Sequence, residues 1–135
     1  MPIQLKNTDL INTQQMEVAV NGPDGATHLI LCMGVANLGS GSHETYTFLV
    51  GPQILRRQFV GAIASGAIST IQAQHKKPLD DAADIELEAN IVFMAAQFDE
   101  ESGQVRVTAE VSSSTPRTKL AISYNVNILA ALPNY

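Results

Sequence analysis

The chain has 135 residues, 45% of them hydrophobic and 16% charged, with a formal net charge of −5. It is too apolar for disorder and long enough to bury one core without disulfides or metal, so a single domain over 1–135 is expected. Thirteen acidic against eight basic residues disfavour a nucleic-acid surface, which needs clustered cations. So low a charged fraction is also poor for a monomer that must stay soluble alone, and this points to self-association.

The start of the chain, Met1 to Asn7, lacks the basic segment followed by an apolar stretch that marks a signal peptide. The apolar-rich segments around 29–38 and 54–71 are too short or too interrupted to span a bilayer, so no membrane partner is expected. Cys32 is the lone cysteine, which removes an intramolecular disulfide and multi-cysteine zinc from consideration and suits a reducing, cytoplasmic setting.

Met16, Val18 and Val20 alternate with Glu17 and Ala19, the pattern of a half-buried strand. Turn residues follow over 21–25. The run His28 to Ala36 is apolar at nearly every position, and reads as a strand covered on both faces or lying at an oligomer interface. Its Gly34 suggests a bulge or a close backbone approach. After Gly39-Ser40-Gly41-Ser42, Tyr46, Phe48 and Val50 alternate in a third strand, giving an N-terminal meander.

Gly51-Pro52 then changes the period. Leu55, Phe59, Ile63, Ala67 and Ile71 recur every four residues, and with proline in a first turn they predict a helix from Pro52 to Gln74, ended by His75-Lys76-Lys77 and Pro78. Leu79 to Asp84 is a loop. From Ile85 alternation returns through Phe93, continues beyond the polar turn Asp99 to Gly103 in Val105, Val107, Ala109 and Val111, and resumes in Leu120 to Ile128. These predict a three-stranded antiparallel meander with one solvated face. The order is βββ-α-βββ, an α+β fold in which the helix packs on a curved sheet or closes a two-sheet sandwich.

No motif specifies a reaction. Ser42-His43-Glu44 resembles pieces of a hydrolytic triad, but adjacent residues point apart and a triad is assembled from distant segments. Asp80, Asp81, Asp84, Glu86 and Glu88 form an acidic cluster without the spacing of a calcium loop, and read as a solvated face. His28, His43 and His75 are too scattered to favour zinc, so neither a metal nor a cofactor is expected. Arg56 and Arg57 stand near the positive end of the predicted helix, where the dipole disfavours cations. They suggest an anion site or, in preference, pairing with acidic residues across an oligomer interface.

The expectation is a non-enzymatic structural or interaction protein acting as a homo-oligomer, its principal partner being itself. The alternative is a small-molecule-binding domain or enzyme with a pocket between helix 52–74 and the sheet, lined by Arg56, Arg57, His28, Tyr46 and Tyr124.

Overall fold

The computed structural model describes residues 2–22, 25–40, 43–73, 89–113 and 118–131. Eight strands occupy them: β1 (Ile3–Gln4), β2 (Leu10–Gly22), β3 (Gly25–Ser40), β4 (His43–Val50), β5 (Phe59–Ala73), β6 (Ala89–Asp99), β7 (Gln104–Ser113) and β8 (Thr118–Ala130). They form two four-stranded sheets, ordered β1-β4-β7-β6 and β2-β3-β8-β5. Every pairing is antiparallel except the short parallel contact of β1 with β4.

Alternation builds the core. Ile30, Cys32, Ala36 and Leu38 of β3 and Leu120, Ile122, Tyr124, Val126, Ile128 and Ala130 of β8 face Tyr46, Phe48 and Val50 of β4 and Val105, Val107, Ala109 and Val111 of β7, all buried. Each fully buried Val or Ile contributes roughly 1.5–3 kcal/mol relative to exposure. The two middle strands of each sheet supply most of this layer, as expected where two sheets cover each other's inner faces. Phe48 and Tyr124 meet across it with ring centroids 4.9 Å apart.

The expected α+β class is overturned: the described residues contain no α-helix, and most of the segment predicted as the long helix is strand β5, paired with β8 from Phe59 to Ala73. Before it lies only a single 3-10 turn, Arg56–Gln58. The misreading has a specific cause. Register shifts between Phe59 and Gly61 and between Ile68 and Thr70 are β-bulges, each adding one residue. Residues packed on the core are therefore Phe59, Ala62, Ala64, Ile68 and Ile71, spaced by three, two, four and three. That rhythm imitates a helical stripe. Ile63, which the four-residue repeat placed inside, is 72% exposed.

The meanders are corrected as well. Hairpins β2–β3 and β6–β7 form as the sequence indicates, but β3 to β4 and β7 to β8 pass from one sheet to the other, so each predicted triplet is split. Of the two arrangements left open, the two-sheet sandwich is observed, without a helix at its edge among the described residues. Among the described residues, no helix is long and apolar enough to cross a membrane.

Glycines flank the core tyrosine. Gly34 and Gly66 both register with Tyr124. A Cβ on Gly34 would lie 2.6 Å from the Tyr124 hydroxyl, so the close approach at this position is by a side-chain ring and not by the backbone expected there. A Cβ on Gly66 would lie 2.8 Å from the Ser123 carbonyl oxygen and 2.9 Å from Met94 Sδ. In a helix, Gly66→Ala would stabilise by roughly 1 kcal/mol. In this strand it destabilises by about 1–3 kcal/mol through overpacking against backbone, and urea unfolding of the two proteins decides the sign.

Candidate functional site

The two sheets meet water very differently on their outer faces. On β1-β4-β7-β6 the outward side chains include His43, Asp99, Arg106 and Glu110. His43 Nε2 lies 3.0 Å from Glu110 Oε2, and Arg106 Nη1 donates to Asp99 Oδ1 at 3.4 Å. This is an ordinary solvated face with cross-strand charge pairs.

The outer face of β2-β3-β8-β5 carries no charged side chain over 14–20, 27–37, 61–70 and 121–129. Registers order it into rows. Val18, Leu29, Leu129 and Gly61 form one; Met16, Leu31, Asn127 and Ile63 the next; Gln14, Met33, Asn125 and Ser65 a third; Val35, Ser123 and Ala67 continue the last three strands. Met16 is 59% exposed, Val18 42% and Val20 52%, and Leu29 and Leu31 are half-buried. The apolar side chains concentrate on β2 and β3, whereas β8 contributes uncharged amides and a hydroxyl.

Alternation in 16–20 is thus correct, but its face is opposite to the expected one. Met16, Val18 and Val20 point outward, while Gln15 and Glu17 lie on the inner side, where β2 overhangs the sandwich and stays exposed. Glu17 is held there by His28, whose Nδ1 lies 2.5 Å from Glu17 Oε1. The doubly apolar run on β3 behaves as the sequence suggests on one side, where it enters the core. On the other, no layer among the described residues covers it.

The residues proposed to line a pocket do not converge. Tyr46 and Tyr124 are buried in opposing sheets, and the Tyr46 hydroxyl donates to the Gly39 carbonyl at 3.4 Å. Burial raises the pKa of both phenols, assisted at Tyr46 by Glu44 and at Tyr124 by Cys32. His28 sits at the β2–β3 edge with Glu17. Arg56 is exposed, 3.7 Å from Glu100 and 5.7 Å above the Phe98 ring, and Arg57 is exposed. Arg56 therefore has an acidic neighbour within its own chain. Because the segment is a 3-10 turn and a strand, the helix-dipole conflict does not arise.

Ser42, His75 and the acidic residues Asp80, Asp81, Asp84, Glu86 and Glu88 lie outside the described residues. Within them, no three His, Cys, Asp or Glu side chains group as a metal site would require. Burial raises the Cys32 thiol, making it a poor nucleophile. A cleft of about 300 Å³ beside Cys32 and Tyr124 is lined by Asn7, Leu10, Gln14, Gln15 and Gln104 among others, without a charged group. No protein-family model, curated protein or solved structure matches this chain.

One titration on the solvated face gives a direct test. The Asp99 carboxylate accepts hydrogen bonds from the Ser102 hydroxyl at 2.6 Å and the Ser102 N–H at 3.0 Å, closing the β6–β7 turn with Gly103 at φ 75°. These bonds, aided by Arg106, hold its pKa below the usual carboxylate value despite some desolvation. Its contribution is fully present above the unfolded pKa of about 3.9 and is lost as pH falls through the lower folded value. Asp99→Asn should therefore destabilise at pH 7, with the difference from wild type shrinking below pH 3. Denaturant melts at the two pH values check this.

Proposed function

We propose that the protein is a non-enzymatic structural unit that assembles with copies of itself, and that the outer face of β2-β3-β8-β5 is where copies meet. The observation that carries this reading is the absence of charge on that face over 14–20, 27–37, 61–70 and 121–129, with Lys119 beyond it at the start of β8, together with exposed Met16, Val18, Val20, Met33, Ile63 and Leu129. Contiguous apolar surface on a soluble domain marks an interaction site. Asn125, Asn127, Ser123 and Ser65 cost less to desolvate than ionised groups and keep the face wettable before association.

The catalytic alternative finds less support, since Arg56, His28 and the two tyrosines are dispersed and the cysteine thiol is buried. A single cysteine kept in the core supports placing the protein in a reducing compartment, for which the cytoplasm is our proposal.

Light scattering of the purified protein should give a mass that is a multiple of the 14.5 kDa chain. The assembly should persist at 1 M NaCl, because little of its stability comes from screened charges. Ile63→Glu should weaken association at least tenfold, with folding stability within about 0.5 kcal/mol of wild type as for an exposed position. A monomer at all accessible concentrations would sink the proposal, as would an oligomer that dissolves in salt while tolerating Ile63→Glu.

A further inference from the structure

The two sheets have unequal edges. Strand β1 is only two residues long. Strands β5 and β6 close on each other: the Phe59 and Phe98 rings are 5.4 Å apart, and Met94 fills the space over Gly66. That leaves β2, which pairs with β3 on one side, as the long free edge among the described residues. Its first part is broken by a bulge between Ile11 and Gln14, where Asn12 has φ 53°. From Gln14 onward the register is continuous to Gly22. A regular edge without proline or lysine is a template for another strand.

The sole charge on β2, Glu17, does not protect this edge as a charge pointing into a core would. It lies on the exposed inner side and is already held by His28. Most of the apolar residues of the outer face lie toward this edge, on β2 and β3, while β8 is polar there apart from Ala121 and Leu129, and β5 adds Ile63. Pairing two β2 edges would therefore bring two apolar halves together at the centre of one surface.

Size argues the same way. Seven residues at about 3.4 Å by four strands at about 4.8 Å give a footprint of about 450 Å² for one face. A specific interface commonly buries about 800 Å² per partner. Edge pairing leaves the faces themselves open, and two of them joined edge to edge present one continuous surface of that scale to a further pair of copies.

We infer that β2 pairs antiparallel with β2 of a second copy about a two-fold axis through Val18, making one continuous eight-stranded sheet. The inference rests on the self-assembly reading and names the edge through which it begins. Antiparallel partners place directly opposed side chains on the same face, so an axis perpendicular to the sheet must pass through a residue. Through Glu17 it would oppose two like charges, which is destabilising. Through Val18 it sets Val18 against Val18, Met16 against Val20 and Glu17 against Ala19, matching apolar with apolar across the outer face.

The test is disulfide cross-linking under mild oxidation. Val18→Cys should give a covalent dimer in high yield, because directly opposed Cα atoms lie about 4.5–5.5 Å apart, within disulfide reach. Native Cys32 is buried, and wild type should not cross-link. Glu17→Cys should cross-link at least fivefold less than Val18→Cys, and a mixture of Met16→Cys with Val20→Cys should yield the heterodimer. If scattering shows an oligomer but Val18→Cys stays uncoupled, the edge pairing is overturned and the self-assembly reading stands. If the protein is monomeric and Val18→Cys stays uncoupled, both fall.

Discussion

A sheet has two faces, and a sandwich of two sheets settles only one face of each. Burial of β3 and β8 against β4 and β7 is the interaction on which everything else in this protein depends. It fixes which residues are inner, and by the two-residue period it fixes every outer residue as well. Once Ile30, Ile122, Val126, Phe48 and Val107 are committed to the core, the composition of the outer faces is no longer free. One of them is resolved with His43–Glu110 and Arg106–Asp99. The other carries Lys119 at one end but, among the described residues, no opposite charge with which to do the same.

Much of this was legible in the residues. The β6–β7 hairpin followed from alternation on either side of Asp99 to Gly103, and β2–β3 from the turn over 21–25. The apolar character of β3 on both faces was visible, and one of those faces enters the core. What was not legible was β5. Four is a multiple of two, so Ile63 and Ala67 satisfy a helical repeat while lying on a strand, and two bulges moved Phe59 and Ile71 inward to complete the illusion. Proline at 52 strengthened a helical reading, whereas Gly61 and Gly66, each costly inside a helix, counted against it.

Alternation also carries no sign. Met16, Val18 and Val20 announce that one face of β2 is apolar, but not whether that face turns toward the core, which depends on registration with β3 and on how far the sandwich extends beneath the edge. The sequence contained one clue. Glu17 and Gln15 are as regular as their apolar neighbours, so one of the two sets had to face the inner side. A partner for Glu17 in His28, eleven residues away, resolves the choice. The dispersal of Arg56, Arg57, His28, Tyr46 and Tyr124 has the same origin. They were grouped around a helix that the structure replaces with a strand, and without it each returns to a local role in a turn, an edge or the core.

The uncharged face has its own internal logic. Were β8 as apolar outwardly as β2 and β3, the folded chain would present a wide sticky surface while still alone, with indiscriminate aggregation as the consequence. Were it charged, burial against another copy would carry a desolvation penalty of several kcal/mol per ion. Asn125 and Asn127, beside Ser123 and Ser65, lie between these limits, because amides and hydroxyls hydrogen-bond well to water and can exchange those bonds for others across an interface. Displacement of the apolar rows toward β2 then acquires a meaning. The stickiest part of the face lies beside a strand whose backbone groups impose direction and register, so that the proposed association would be guided there by hydrogen-bond geometry before being strengthened by burial.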